Sequence, residues 1–286
     1  MPPSPSNLAK IMAWDQPTQQ VERIVVGAVS LGIYLEHVGR YLFAAPFAEG
    51  LRVLDAACGT GYGSYCLALG RARRVNGLEI SREAVAYAGS RYRKDNLHFS
   101  SGDAARMPYR SGSFDLVISF ETIEHLLDPE SYLSECKRVL KPGSTFIVST
   151  PDKRVHEGLQ VQVPFHELEY SPEEFKSLVG KQFSIQAVWG QMPVRLDRLD
   201  PRETRPSPAV RIAARLPKRL RALAKPFYEA RQLGVPLRTA VRYYRDAARS
   251  NAAFRLEEVP QRYRVVPEYR IGMRETFKTI ILVARS

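Results

Sequence analysis

The chain is long enough for one substantial core and an elaboration, because its 286 residues are 44% hydrophobic and 25% charged. Its longest apolar run, residues 24–35, falls short of the roughly 20 residues that cross a bilayer, so no membrane-spanning helix is predicted. Of the net charge of +12, residues 205–249 carry +10, since they hold 12 Lys or Arg against two acids. The rest of the chain is almost neutral, which excludes an enzyme that is cationic throughout.

The first 48 residues are predicted to form a loose arm followed by helix. Residues 1–20 are rich in Pro, Ser and Gln, whereas residues 21–48 have a helical pattern that places Glu36 and Arg40 on one face, four residues apart. The start of the chain lacks the pattern of a secretory signal, and the 3 cysteines have no metal-like spacing. The cytoplasm is therefore the expected compartment.

Residues 49–191 alternate short apolar strands with helices, which predicts an α/β fold with a doubly wound parallel sheet. Ser171, Pro172 and Glu174 predict the start of one helix, because they supply an N-cap, a proline at the first position and a capping-box acid. The predicted strands cover residues 51–56, 74–80, 97–100, 114–120, 144–150 and 183–189, and the predicted helices cover residues 62–70, 81–94, 129–140 and 171–180.

A proline-rich segment, residues 192–262, interrupts this alternation and is predicted to be a basic helical insertion or lid. Between Val210 and Phe227 apolar side chains recur every three or four residues, and Arg or Lys fills much of the remainder. This pattern has several interpretations: helices packed on the core with a solvated basic face, contact with an anionic membrane, an RNA-binding surface, or a lid over a phosphorylated or nucleotide-linked substrate. Residues 263–286 complete the core with a last strand, predicted over residues 276–284.

The run from Val53 to Gly63 is predicted to be a strand that ends in a turn of small residues and enters a helix. Three acids lie at successive strand ends, namely Asp55, Glu79 and Asp103. A carboxylate after the second strand can accept hydrogen bonds from both ribose hydroxyls, and one after the third strand can accept from an adenine amine. The pattern therefore predicts a nucleoside site.

Two kinds of nucleoside cofactor could occupy this site, a dinucleotide and a nucleoside with a sulfonium centre. A dinucleotide fingerprint has the pattern Gly-x-Gly-x-x-Gly, but Gly59, Gly61 and Gly63 are evenly spaced and Ser64 occupies the place of the third glycine. The acidic Asp55 at the turn also suits a ligand with an ammonium group and a sulfonium centre better than one with a pyrophosphate. The residues therefore favour a sulfonium-bearing nucleoside over NAD.

Residues 51–151 resemble the catalytic core of class I S-adenosylmethionine-dependent methyltransferases, which have a Rossmann-like fold. The resemblance is carried by VLDAACGTGYGS, GLEIS, SGDAARMPYRSGSFDLVISFETIEHL and RVLKPGSTFIVSTP. It implies a seven-stranded, mostly parallel sheet whose seventh strand is antiparallel between the fifth and sixth, with the basic insertion between the last two strands. Residues 36–41 and 164–168 are similar to a type-11-like branch found beside glycosyltransferases in surface-polysaccharide pathways.

The resemblance implies S-adenosyl-L-methionine as the cofactor. In it Glu79 would hold the ribose, Asp103 would flank the adenine, and Ala57 replaces the usual first glycine of the turn. Arg40 would reach the methionine carboxylate, with a surface ion pair to Glu36 as the alternative. The cofactor-binding candidates are Arg40, Asp55, Ala57, Cys58, Gly59, Gly61, Glu79, Ile80, Asp103, Ala104, Phe120 and Glu121.

A sulfonium methyl group is already activated, so an enzyme must mainly align the acceptor at roughly 3 Å and exclude water. For a hydroxyl acceptor His125 is the predicted base, although it could instead cap a helix, and Glu124 and His166 are the other catalytic candidates. No cluster has convincing metal-ligand spacing, so no metal is predicted.

The sequence predicts O-methylation of a sugar, a lipid-linked glycan or another small hydroxylated molecule, in the cytoplasm or at a membrane surface. The preference for a sugar comes from the resemblance alone. The alternatives are an RNA methyltransferase that uses the basic insertion, methylation at nitrogen or carbon, a cofactor-binding regulatory protein without turnover, and a nucleotide-dependent oxidoreductase. The oligomeric state stays open.

Overall fold

The computed structural model describes residues 31–154, 166–191, 265–267 and 279–286. Its helices are α1 (Leu31–Ala48), α2 (Tyr62–Leu69), α3 (Arg82–Arg91), α4 (Pro129–Val139) and α5 (Pro172–Gly180). Its strands are β1 (Arg52–Ala56), β2 (Arg74–Glu79), β3 (Leu97–Ser101), β4 (Phe114–Phe120), β5 (Leu140–Pro151), β6 (Ser184–Gln191), β7 (Val265–Pro267) and β8 (Thr279–Arg285). A single 3-10 turn, Ile123–His125, follows β4.

The strands form one mixed sheet in the order β3-β2-β1-β4-β5-β8-β6-β7. Strands β1 to β5 pair in parallel, and β8 lies antiparallel between β5 and β6. This confirms the predicted place and direction of the last core strand. The short β7 pairs antiparallel with β6 and extends the sheet by a strand that the sequence analysis did not predict.

The sheet separates two apolar layers, and successive residues of each central strand contribute to opposite layers. Val53 packs with the layer that contains α1, α2 and α3, whereas the next residue, Leu54, packs with the layer that contains α4 and α5. Leu116 and Val117 of β4 divide in the same way. This two-residue period is that of a strand buried on both faces, so the predicted doubly wound arrangement is confirmed.

The helix boundaries follow the capping signals that the sequence contains. The Ser171 hydroxyl accepts a hydrogen bond from the Glu174 amide at 3.3 Å, and the Glu174 carboxylate accepts one from the Ser171 amide at 2.8 Å, which confirms the predicted capping box. Helix α3 ends at Arg91, three residues before its predicted end, because Tyr92 has an extended backbone. Strand β5 begins at Leu140, earlier than predicted.

Several predicted segments lie outside the described residues. These are the arm over residues 1–20, the first part of the predicted N-terminal helix and the basic insertion over residues 192–262. The boundaries of the four predicted chain segments therefore stay predictions. Among the helices that the structure describes, none has the length and apolar character needed to cross a bilayer.

Candidate functional site

The candidate site lies where the order of the sheet reverses. From β1 the chain adds β2 and β3 on one side and then crosses to place β4 on the other side of β1. Ligands of doubly wound sheets bind at the carboxyl ends of the strands at such a switch point. The turn after β1 and the 3-10 turn after β4 are neighbours at this edge, since Asp55 pairs with Ile118 in parallel register.

The turn after β1 has an unusual backbone that leaves room beside it. Ala57, Gly59 and Gly61 have φ angles of 59°, 55° and 83°, all in the left-handed region. A Cβ at Gly59 would meet no atom within 4 Å, so a ligand can approach the backbone at this point. Ala57 carries a Cβ in the same conformation, at a cost of roughly 1–2 kcal/mol, which explains why a glycine is usual there.

The third evenly spaced glycine has a different role. A Cβ at Gly63 would lie 1.9 Å from the ring of Tyr41, so helix α1 packs directly on the start of α2. The Tyr41 hydroxyl then reaches Asp55 and donates a hydrogen bond of 3.1 Å to it. Gly63 therefore serves helix packing, and Tyr41 is a supporting residue that the sequence analysis missed.

Asp55 is completely buried beneath the turn. Its Oδ1 accepts from Tyr41, and its Oδ2 accepts from the Ser64 hydroxyl at 2.6 Å. The pKa of Asp55 is raised to about 7, mainly by burial and to a smaller extent by the charge of the nearby Glu79 carboxylate. Both hydrogen bonds favour the ionised form and limit this rise. Asp55 thus shapes the floor of the turn, and its predicted contact with a ligand stays a prediction.

Glu79 connects the end of β2 to the turn after β1. One carboxylate oxygen accepts a hydrogen bond from the Gly59 amide at 3.0 Å, and the other accepts from the Ser81 amide at 3.0 Å. A carboxylate offers about four lone-pair sites, so these two bonds leave capacity in principle for ribose hydroxyls. The carboxylate is therefore held in one orientation before any ligand binds.

The remaining cofactor-binding candidates lie in the turn after β1, after β2 and β3, and at the end of β4. The Cys58 amide donates to the Leu78 carbonyl at 2.9 Å, which ties the turn to β2. Ile80 is 63% exposed, and the exposed Asp103 accepts from the Ala105 amide at 2.8 Å. Phe120 packs edge-to-face on Tyr41, with ring centroids 5.1 Å apart. Ala104 is partly buried against the α4–α5 layer.

Arg40 is a buried cation at the same edge of the sheet. Its Nη1 donates to Gln191 Oε1 at 2.6 Å, and its Nη2 lies 3.7 Å from Glu121 Oε2. Within the described residues, neither Nε nor Nη2 has a hydrogen-bond acceptor. The alternative of a surface ion pair with Glu36 is wrong, because Arg40 is 2% and Glu36 is 8% exposed. The unfilled hydrogen-bond capacity of Arg40 suits a carboxylate ligand.

Glu124 is buried in the 3-10 turn after β4, with 1% of its surface exposed. Its Oε2 accepts from the Thr150 hydroxyl at 3.2 Å, whereas its Oε1 has no partner in the described part of the chain. Burial, with a smaller contribution from the Glu121 charge, raises the pKa of Glu124 well above its ordinary value. A buried carboxyl group with an unfilled oxygen marks this turn as a second polar site.

The loop that carries His166 is attached to the same turn. The Glu124 carbonyl accepts hydrogen bonds from the Glu167 amide at 2.8 Å and from the Leu168 amide at 3.1 Å. The rings of His125 and His166 therefore meet edge-to-face, with centroids 5.1 Å apart. The structure thus brings together the three residues that the sequence analysis named as catalytic candidates.

A fourth residue of this site, Glu169, was missed by the sequence analysis. Its Oε1 lies 3.0 Å from Nδ1 of His166. The only sequence pattern that points to Glu169 is its position three residues after His166, and this spacing is too common along any chain to predict a contact. The sequence analysis predicted no metal, yet Glu124, His125 and His166 each place a potential ligand atom within 4.8 Å of the others.

Comparison with known proteins identifies the family. The family described as "Methyltransferase domain" matches residues 47–196, which is more than half of the chain. The chain belongs to this methyltransferase family. The matched range contains the turn after β1, Glu79, Asp103, Glu124 and His166, so it includes the whole site except Arg40.

Relatives within the family differ in what their names state. The "probable S-adenosylmethionine-dependent methyltransferase" of Mycolicibacterium smegmatis is 39% identical over 161 residues, which cover 55% of this chain and 62% of that protein. The O-methyltransferase cnsE of Penicillium expansum is 31% identical and covers 48% of each chain. Ajmaline N-methyltransferase of Rauvolfia serpentina is 34% identical and covers 47% of this chain and 45% of its own. The chain spans about half the length of these relatives.

A solved structure has the same fold, and its name states an activity other than methyl transfer. The [4+2]-cyclase SpnF superimposes with a TM-score of 0.53 at 18% identity, over 98% of this chain and 92% of that chain. Its name shows that this fold is not restricted to methyl transfer. The cofactor of the methyltransferase family is S-adenosyl-L-methionine, and the open turn at Gly59, the oriented Glu79 carboxylate and the unfilled Arg40 guanidinium fit it.

Proposed function

We propose that this protein transfers a methyl group from S-adenosyl-L-methionine to a hydroxyl oxygen of a small molecule, with a sugar or lipid-linked glycan as the expected acceptor. The observation that carries the proposal is the juxtaposition of two polar sites at one sheet edge: the turn after β1 with Glu79, and the turn after β4 with Glu124, His125 and His166. One site suits the cofactor, and the other suits the acceptor hydroxyl.

The residues of the first site would position the cofactor. Glu79 is oriented to accept hydrogen bonds from the ribose, Arg40 is placed to donate to a carboxylate, and the acidic Asp55 and Glu121 favour a cationic ligand over an anionic one. When bound, S-adenosyl-L-methionine supplies an activated methyl group on a sulfonium centre. The work left to the protein is alignment of the acceptor and exclusion of water.

The residues of the second site would receive the acceptor. The imidazoles of His125 and His166 contact each other beside the turn after β4, and an imidazole can accept a hydroxyl proton near neutral pH. In this proposal His125 would accept that proton, so that the acceptor oxygen could take the methyl group as its bond to sulfur breaks and S-adenosylhomocysteine leaves. Methylation at nitrogen or carbon is the alternative, as the different acceptor atoms in the names of the relatives illustrate.

The acceptor class and the location are proposed from two features of the sequence. Residues 36–41 and 164–168 are similar to the type-11-like branch beside glycosyltransferases, which favours a glycan. The basic stretch over residues 205–249 favours an anionic surface or substrate near the site, and we place the protein in the cytoplasm with peripheral contact to an anionic membrane. Binding of RNA by the same stretch is the second candidate.

The proposal is tested with S-adenosyl-L-methionine that carries a labelled methyl group and fractionated cell extract as the source of acceptors. We expect the label in a glycan or lipid-linked fraction, in an ether linkage that survives mild base. Loss of the labelled product after ribonuclease treatment would support the RNA candidate instead. An absence of transfer to any fraction, despite tight cofactor binding, would favour a regulatory protein without turnover.

The role of His125 is tested separately with His125→Ala. We expect turnover to fall by about 10²–10⁴-fold, as is usual for loss of a general base, while the affinity for the cofactor stays unchanged. His98→Ala is the matched control, since His98 is exposed on β3 away from this edge. Full activity of His125→Ala would remove His125 from the reaction.

A further inference from the structure

We propose that Glu124, His125 and His166 form a binding site for one divalent transition-metal ion of the Zn²⁺ or Mn²⁺ type. The carboxylate oxygen and the two imidazole nitrogens that can act as ligands all lie within 4.8 Å of one another. No such site was predicted from the sequence. The inference concerns the ion alone, and binding of the ion does not depend on the proposed methyl transfer.

The Glu124 carboxylate supplies the first argument. It is 1% exposed, and its Oε1 has no hydrogen-bond donor in the described part of the chain. A buried polar atom without a partner costs roughly 1–3 kcal/mol, so such atoms usually have a reason. The Arg40 charge acts on Glu124 at a distance and lowers its pKa slightly, but among the described residues no hydrogen bond or ion pair joins the two side chains, since Arg40 contacts Glu121 and Gln191. A metal ion between the two histidines would satisfy this oxygen.

The arrangement around His166 supplies the second argument. Its Nδ1 lies 3.0 Å from the Glu169 carboxylate, and the histidine side chain is 9% exposed. Histidines that bind metal ions commonly donate their other ring nitrogen to a carboxylate, which fixes the tautomer and the ring orientation. With Nδ1 directed at Glu169, Nε2 of His166 is the nitrogen that would face the ion.

The backbone holds these ligands together without the ion. The Glu124 carbonyl binds the amides of Glu167 and Leu168, so the loop of His166 is attached directly to the turn that carries the other two ligands. In a tetrahedral site, two ligand atoms that are each about 2.1 Å from the ion are about 3.4 Å apart. The present separations of up to 4.8 Å would therefore have to shorten by side-chain rotation when the ion binds.

The ligand types indicate the class of ion. Imidazole nitrogen suits Zn²⁺, Mn²⁺ and Fe²⁺, whereas Mg²⁺ and Ca²⁺ prefer sites made only of oxygen. Three protein ligands also leave at least one coordination position for an exchangeable group. Where the proposed function holds, that position would take the acceptor oxygen and lower its pKa, and this role rests on that function. A ring nitrogen bound to the ion cannot accept a proton, so His125 would then act as a ligand and not as the base.

The test is calorimetric titration of Zn²⁺ into the full chain, prepared without an affinity tag and stripped with a chelator. We expect one ion per chain, with affinity reduced at least about tenfold in His125→Ala and in His166→Ala. His98→Ala is the matched control and should bind as the original protein does, because His98 is exposed on β3. Thermal unfolding of each variant identifies any that fail to fold, and Glu124→Gln provides a further ligand variant.

Glu169→Gln gives the sharpest readout, because Glu169 would touch the ion only through His166. Loss of such a supporting carboxylate typically costs about 10–100-fold in metal affinity. Glu167→Gln is its control, since Glu167 contributes only its backbone amide to the described contacts. Substoichiometric binding to the original chain, or binding that is unchanged in both histidine variants, would overturn the inference. Either result would leave the proposed methyl transfer intact, with His125 as its base.

Discussion

The two polar sites at the edge of the sheet differ in how completely the protein satisfies them. Around the turn after β1, both oxygens of Asp55 and both oxygens of Glu79 accept hydrogen bonds from the protein. Around the turn after β4, one oxygen of the buried Glu124 has no partner among the described residues. Within this part of the chain, the carboxylates of the first site are therefore satisfied without a ligand, while the donors Nε and Nη2 of Arg40 stay open there, whereas in the second site a carboxylate oxygen itself lacks a partner.

This difference fits two kinds of ligand. A site for a cofactor of fixed structure gains affinity when its groups are oriented in advance, because less order is lost on binding. A site for an ion or an acceptor hydroxyl needs polar protein atoms that find a partner only when this ligand binds. The cofactor site should therefore be sensitive to changes in the packing and ionisation of the residues beneath the turn after β1.

The largest expected effect is on the pH dependence of stability through Asp55. Its pKa is raised to about 7 in the folded protein, so the folded state holds a proton that the unfolded state releases near its ordinary pKa of 3.8. The contribution of Asp55 to stability is therefore largest below that ordinary value and declines as the pH rises to about 7, by roughly 4 kcal/mol in total. Urea unfolding at several pH values measures this decline.

Asp55→Asn isolates that contribution, because the carboxyl of Glu124 shifts stability in the same direction. We expect the original protein to lose more stability than Asp55→Asn between pH 5 and pH 8. Parallel pH profiles for the two proteins would contradict the burial of an ionisable Asp55 beneath the turn.

Gly63→Ala tests the close packing that positions Tyr41 over Asp55. The added Cβ would lie 1.9 Å from the Tyr41 ring, so helix α1 must move and the free energy of unfolding should fall by about 1–3 kcal/mol. Gly89→Ala is the matched control, since a Cβ at this position in α3 meets nothing within 4 Å. That change should raise stability by about 0.5–1 kcal/mol. Equal effects of the two changes in thermal unfolding would show that α1 does not pack as described.

The smallest effect is expected from Ala57→Gly, which relieves the left-handed conformation of Ala57. The folded state gains roughly 1–2 kcal/mol from the relief, and the greater freedom of glycine in the unfolded chain offsets part of it. A net gain of about 0.5–1 kcal/mol should appear as a small rise in the thermal midpoint. A loss of stability would mean that the turn does not require a positive φ at this position.

The sequence predicted the sheet and the acids at its edge because both depend on local pattern. The alternation of apolar strands and helices predicted a doubly wound parallel sheet, and Ser171 with Glu174 marked a helix start that the structure confirms. The antiparallel position of β8 came from the family resemblance and not from its residues. The added strand β7 has three residues and no pattern long enough to predict.

The environment of the charged side chains could not be predicted in the same way. Arg40 bonds to Gln191, 151 residues away, so no local spacing distinguishes this buried cation from a surface residue paired with Glu36. The meeting of His125 with His166 depends on the backbone bonds from Glu124 to Glu167 and Leu168, which become visible only in three dimensions. For the same reason no metal-ligand cluster could be predicted from the spacing of Glu124, His125 and His166 along the chain.

The most direct test of the account is calorimetric titration of S-adenosyl-L-methionine and of NAD into the original chain, Glu79→Ala and Glu83→Ala. Glu83 is the matched control, an acid in the first turn of α3 that lies four residues after Glu79. We expect one molecule of S-adenosyl-L-methionine per chain, affinity at least about tenfold weaker in Glu79→Ala alone, and no binding of NAD. Unchanged affinity in a folded Glu79→Ala variant, or preference for NAD, would contradict the assignment of Glu79 to a site for S-adenosyl-L-methionine.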